Sequence, residues 1–190
     1  MTLTTLQWHR RFLQQAEWTS DLRKYIYREI DRTPVNSILD VGCGTGALLD
    51  EFSDFSRSGV HGLDINLDYL FFGRQNNAWA RLTCGDAHAM PYAANSFDIL
   101  ACHYLFLWVD QPAQVLAEMV RVASNGAMIL ALAEPDYGGR IDFPEALSEL
   151  GDRQKASLRS EGADPHMGRQ LRALFSQAGL EQIETGVVGG

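Results

Sequence analysis

The chain has 190 residues, of which 46% are hydrophobic, and a formal net charge of −8. That is enough for one domain with its own core and too little for two ordinary ones. An acidic chain has no general attraction for nucleic acid or anionic lipid, so neither is an expected partner.

From the N-terminus, Leu6, Phe12, Trp18, Leu22, Tyr25, Ile26 and Ile30 recur at near-helical spacing, which predicts helices within 6–32. Thr19 or Ser20 can cap a second helix. Thr33-Pro34 ends it, because the residue before proline is pushed out of helical geometry. Trp8, Trp18, Tyr25 and Tyr27 are expected to pack these helices onto the rest of the fold. His9, Arg10, Arg11, Arg23, Lys24 and Arg28 read as a solvated basic face. The segment has no apolar run of signal-peptide length, and nothing further on approaches a membrane span. The three cysteines, Cys43, Cys84 and Cys102, form no CxxC pair. They are expected to be reduced thiols of a cytoplasmic protein.

Short apolar runs then alternate with helical periods. "VNSILDVG", "GVHGLDI", "ARLTCGD", "SFDILACH" and "GAMILALAE" read as strands. "GALLDEFSDF", "NLDYLFFGRQNN" and "QPAQVLAEMVRVA" read as helices, the last with Pro112 in its first turn. Continuous apolar strands separated by helices predict an α/β fold: a Rossmann-like, doubly wound, mostly parallel sheet with helices on both faces. After Pro135 the chain turns polar. One helix is expected in "FPEALSELGDRQKASLRSE", another in "GRQLRALFSQAG" with Gly179 as its stop, and a sixth strand in "LEQIETGVV". A single domain is expected over 1–190, divided into an N-terminal helical segment (1–33), a core (34–134), an insertion (135–167), and a last helix and strand (168–190).

The chemistry begins at "ILDVGCGTGALLDEF", where Gly42, Gly44 and Gly46 follow the first strand. Gly42 and Gly44 permit close backbone approach of a ligand, and the amides at the next helix start would favour negative charge. The spacing G-x-G-x-G, with Ala47 next, fits a dinucleotide loop and other cofactor loops alike. Asp64, closing the second strand, can accept from both hydroxyls of a ribose. Asp86 and Ala87, after the third, can read the edge of an adenine through a carboxylate and a backbone N–H. Cys84, His88, Cys102 and His103 lack metal-ligand spacing, and no metal is expected.

At this point the chain resembles the class I S-adenosylmethionine-dependent methyltransferases, in their small-molecule branch. "ILDVGCGTG", "GLDIN", "GDAHAMPYAANSFDIL" and "EMVRVASNGAMILAL" match that family's motifs in order. The resemblance implies that Asp40 and the backbone of Gly42, Cys43 and Gly44 lie against the methionine part of S-adenosyl-L-methionine. It implies Asp64 at the ribose, Ile65 beside the adenine, Asp86 and Ala87 at its edge, and His103 near the methionine amine and the methyl. A sulfonium zwitterion without phosphate suits a loop with acids and no lysine, and none occurs between Lys24 and Lys155. Gln15, Trp18, Thr19 and Arg23 are further candidates, since the family's N-terminal segment often closes over the cofactor.

Methyl transfer is an in-line displacement, and alignment of acceptor and methyl can supply most of the rate. A base is needed only if the acceptor must lose a proton, and His103, Tyr104 and His166 are the candidates. Tyr104, Trp108, Tyr137 and Arg140 are candidates for touching a small-molecule acceptor under a lid at 137–167. Asp164, His166 and Arg169 can instead pin that region to the last helix. Two other readings stay open: a non-catalytic binding or regulatory protein on the same fold, and, from the glycine loop alone, an NAD(P)-dependent oxidoreductase. The resemblance implies a final antiparallel strand beyond the sixth, and no sequence is expected to form it before Gly190, so the expectation is either a truncated chain or a strand supplied by another chain. The expectation is a monomer, or a homodimer in which a second chain supplies that strand; unfilled, the fifth strand is an apolar edge.

Overall fold

The computed structural model describes residues 3–30, 35–56 and 59–187. The expected helix stop at Thr33-Pro34 lies outside these residues. Two helices come first, α1 (Thr5–Trp18) and α2 (Ser20–Ile30). Thr4 starts α1 with a capping box: its hydroxyl accepts from the Gln7 amide, and the Gln7 side chain accepts from the Thr4 amide.

Five strands follow, β1 (Ile38–Val41), β2 (Val60–Asp64), β3 (Arg81–Cys84), β4 (Phe97–His103) and β5 (Ala123–Leu132). They are joined by α3 (Leu49–Ser53), α4 (Leu67–Asn76) and α5 (Pro112–Val122). The sheet order is β3-β2-β1-β4-β5, and every neighbouring pair is parallel. The chain winds outward from β1 to β3, then returns to β4 and β5 on the other side. The order reverses between β1 and β4, where open α/β sheets leave a crevice at the carboxyl ends of their strands.

Side chains along a strand alternate between faces, so each strand feeds two cores. Ile38, Ile99 and Ala101 pack with Ala16, Tyr27, Leu49, Phe52 and Leu70 on the face covered by α1 to α4. Leu39, Val41, Leu100 and Cys102 pack with Val115, Leu116, Met119 and Met167 on the opposite face, under α5 and a later helix α7 (Met167–Gln177). Each fully buried side chain of this size contributes about 1.5–3 kcal/mol. Between β5 and α7 lie two 3-10 turns and α6 (Ser148–Ser160). Ile141 and Phe143 in this stretch are 94% and 86% exposed.

Several expectations are corrected. "LEQIETGVV" forms no strand in its described part: Gln182 has φ 53°, which breaks an extended run, and Val187 is exposed. Leu180 packs instead against the core beneath α7. The helix after the glycine loop begins only at Leu49 and has five residues, because turns occupy the chain from Gly42 to Leu48. Trp18 and Tyr25 do not pack inward; they are 64% and 62% exposed. Nor is the basic face uniformly solvated, since Arg23 is only 2% exposed. No helix among the described residues is long and apolar enough to cross a membrane.

Candidate active site

The glycine loop is fastened to β2. The amides of Gly42 and Cys43 donate to the Leu63 carbonyl at 2.7 and 3.0 Å. The Gly44 amide donates to Asp64 Oδ2 at 2.7 Å, and the Asn66 amide to Asp64 Oδ1 at 2.8 Å. Gly42 and Gly44 have φ of 75° and 53°, a backbone that side chains resist. A Cβ on Gly44 would stand 3.2 Å from the ring of Phe12, so α1 roofs the loop directly. Cys43 turns its thiol away, into the space over Gly62 of β2. Burial, with Asp40 and Asp64 nearby, pushes that thiol well up and keeps it an inert packing group.

Asp40 ends up behind this loop, 3% exposed, opposite Gly62 and Ala101 in the sheet. Burial, then the charges of Asp64 and Glu51, push its carboxyl up to about 7. No hydrogen bond from the described residues offsets them. Such a group lacks a cation. Asp64 is raised by burial too, but the amides of Asn66, Gly44 and Ile65 pull it back. Beyond it Ile65 is an apolar side chain 71% exposed. Asp86 and Ala87 follow the end of β3. His88 lowers Asp86 through its amide and its ring, at 2.8 and 2.7 Å from the same oxygen.

His103 closes β4, and its Nε2 lies 2.8 Å from the Thr19 hydroxyl. Burial first, then the charge of Arg23, lowers its pKa to about 4, with Glu51 opposing. Thr19 accepts from Arg23, whose Nε and Nη2 donate to Glu51 at 2.7 and 2.8 Å. The Tyr27 hydroxyl donates to the same carboxylate at 3.0 Å. Burial disfavours the charge on Glu51, but Arg23 and Tyr27 hold its carboxyl low. This chain of side chains ties the roof helices to α3 and to β4. Sequence reading found Thr19 and Arg23 as candidates and missed Glu51. It also missed that His9, taken as solvated, reaches the Thr45 hydroxyl at 2.8 Å. Gln15 is half-buried, and Trp18 points outward.

The acceptor-side candidates divide. Tyr104 has φ 55° and stands edge-on to His103; burial, then the charges of Tyr137 and Glu134, raise its hydroxyl. Glu134, at the end of β5, accepts from the amides of Leu105, Phe106 and Leu107 and so fixes the turn that carries Trp108. Burial pushes its carboxyl up to about 7 against those three donors. Arg140 is engaged with Asp142 and Gln154 and holds α6. His166 stands at the start of α7 without a side-chain capping bond, and Arg159 donates to its Nε2 at 2.8 Å. Arg169 grips Asp136 at 2.8 Å, so His166 and Arg169 brace the stretch after β5. Asp164 accepts from the His166 amide and from Gln170. No group of three or more metal-ligating side chains occurs among the described residues.

Asp40, the glycine loop, Asp64 and Ile65 thus lie together at the carboxyl ends of β1 and β2, with Asp86 and Ala87 just past the end of β3. A family model described as "Methyltransferase domain" matches residues 39–131. Demethylmenaquinone methyltransferase of Renibacterium salmoninarum is 30% identical over 167 residues, covering 84% of this chain and 69% of that protein. Malonyl-[acyl-carrier protein] O-methyltransferase of Halorhodospira halophila is 29% identical over 123 residues, 62% of this chain and 41% of that one. Among solved structures, geranyl diphosphate C-methyltransferase of Streptomyces coelicolor superposes with TM-score 0.63 at 14% identity, over 83% of this chain and 56% of that one. The chain belongs to the class I S-adenosylmethionine-dependent methyltransferases. It is an enzyme that uses S-adenosyl-L-methionine, and the oxidoreductase reading of the glycine loop falls.

Proposed function

We propose that the enzyme methylates a small organic acceptor in the cytoplasm, and that Asp40, Gly42, Cys43, Gly44, Asp64, Ile65, Asp86, Ala87 and His103 surround the cofactor. The observation behind this reading is the buried Asp40 carboxylate with no hydrogen-bond partner among the described residues. It suits the cationic amino-acid end of the cofactor, with the Gly42–Gly44 backbone packing alongside. Asp64 suits the ribose, Ile65 the face of the adenine, and Asp86 with the Ala87 amide its edge. When bound, the cofactor supplies an electrophilic methyl group.

The chain's own residues then orient the acceptor and exclude water. The roof of α1 and α2 closes one side through Phe12 and the Thr19–His103 contact. Tyr104, Trp108 and Tyr137, with the stretch 135–167 as a lid, line the other. The one basic candidate there, Arg140, is already paired with Asp142. This favours an acceptor recognised by shape and hydroxyl contacts over a polyanion. A histidine with a pKa of about 4 is a weak base at neutral pH. His103 therefore works by position, and the acceptor supplies its own nucleophile. The relatives, named for demethylmenaquinone and for malonyl-[acyl-carrier protein], set the first acceptors to try.

The test is transfer of a labelled methyl group from S-adenosyl-L-methionine to a panel of naphthoquinols, phenols and acyl thioesters. Turnover on one of these, saturable and lost in Tyr104→Ala, is the expected result. Tight cofactor binding with no turnover on any small molecule, alongside methylation of a protein or RNA, would overturn the reading.

A further inference from the structure

The loop 85–92 holds the proposed adenine ligands, and it is clamped from one side by α5. The Glu118 carboxylate accepts from the Met90 amide at 2.7 Å. Arg121 donates to the carbonyls of Met90 and Tyr92 at 3.0 and 2.9 Å. Gln114 donates to the His88 carbonyl at 2.9 Å. These contacts fix the backbone. His88 does something different, because its ring reaches back to a side chain.

The Asp86 carboxylate is 52% exposed, and an exposed carboxylate ordinarily samples several rotamers. Here its Oδ1 takes two donors from one residue, the His88 amide at 2.8 Å and the ring Nδ1 at 2.7 Å. A carboxylate can only accept, so Nδ1 bears a proton. The other ring nitrogen, Nε2, is buried without an aligned hydrogen bond and faces Asp110 Oδ1 at 3.2 Å. The imidazole thus stands between two acids, one on the loop and one just before α5. Asp86 Oδ2 has no donor among the described residues. One oxygen is fixed and the other is left to accept.

We infer that His88 is a positioning residue that sets the base selectivity of the donor site: it fixes the Asp86 carboxylate so that Oδ2 meets the exocyclic amine of the adenine. The inference rests on Asp86 being the adenine ligand. Asp110 is the neighbour on the far side of the ring, so the imidazole stands between the loop and the segment that leads into α5. A 6-oxo group in place of the amine turns an acceptor toward that oxygen, and such a purine is disfavoured.

The test measures calorimetric affinities for S-adenosylhomocysteine and S-inosylhomocysteine, whose bases differ in that group and in the proton that the 6-oxo base carries on N1. The N1 difference is common to all variants, so the change in the ratio between variants is what counts. The readout is the ratio of the two, which a general loss of folding does not change in a predictable sense. In His88→Ala the ratio is expected to fall by roughly threefold to tenfold, the worth of one hydrogen bond. His88→Asn, which can place an N–H near the Nδ1 position, is expected to retain most of it. In an Asp86→Ala background, His88→Ala should add nothing. Equal weakening of both ligands in His88→Ala overturns the inference while Asp86 stands. A ratio unchanged in Asp86→Ala removes Asp86 from the adenine and takes the inference with it.

Discussion

Arg23 of α2 and Glu51 of α3 are joined by two parallel bonds of 2.7 and 2.8 Å, with the guanidinium 2% exposed and the carboxylate 35% exposed. Removing one partner strands the other. Arg23→Met is expected to cost about 3 kcal/mol, the low end for a buried pair because Glu51 keeps some water. Pairing it with Glu51→Leu should restore much of the loss in urea unfolding. Additive losses in the double variant would show that the two side chains act separately.

Asp40→Asn separates stability from binding. At pH 8 the wild-type carboxyl is ionised in a buried place, since its folded pKa is about 7. The amide removes that charge and should stabilise the cofactor-free protein by on the order of 2 kcal/mol. The same change should weaken S-adenosyl-L-methionine roughly tenfold to a hundredfold, the worth of a charged contact. Melting curves and calorimetry read the two effects, and a variant that loses both stability and affinity would contradict this role.

Cofactor binding should release a proton near neutral pH. Asp40 at about 7 holds a proton that a carboxyl at its ordinary 3.8 would not retain there. A cation placed beside it lowers that pKa, so affinity should rise with pH through about 6 to 8. Calorimetry in two buffers of different ionisation enthalpy should show release at pH 6.5 that fades by pH 9 and vanishes in Asp40→Asn. Without cofactor, Asp40 and Glu134 (both about 7) make the folded chain bind more protons than the unfolded one between about 4 and 7. Their contribution to stability therefore falls as pH rises through that range. His103, lowered from 6.5 to about 4, works in the opposite sense. An identical heat of binding in both buffers would remove Asp40 from the cofactor.

Gly44→Ala forces a side chain onto φ 53° and to 3.2 Å from the Phe12 ring. The expected loss is about 1–2 kcal/mol. Phe12→Leu in that background should return only part of it, because the backbone cost stays. Wild-type melting of Gly44→Ala would show that the roof yields freely.

The parallel sheet was legible because residues 99–102 of β4 and 127–132 of β5 are continuous apolar runs, and burial on both faces demands such runs. The places of Asp40, Asp64 and Asp86 followed from their strand ends. The roof was harder. Periodicity marks an apolar stripe but not what covers it, so Trp18 and Tyr25 were expected inside, and Arg23 on a solvated face. Glu51 reads as an ordinary acid at a helix start. Its partner lies 28 residues away, and no local pattern links them. "LEQIETGVV" has strand-like composition, but a strand exists only with a neighbour to pair with, and Gln182 turns the chain aside.

The reversal of strand order between β1 and β4 has one more consequence. On the assignment proposed here, residues 40–87 with His103 grip the donor, and residues 104–167 meet the acceptor. The two lengths of chain touch along the seam where Asp40 pairs with Ala101. Selection can therefore rewrite one side of the seam while the other stays fixed, like a tool with a standard shank and exchangeable bits. A chimera crossing over within β4 would inherit its taste for acceptors from its second parent alone.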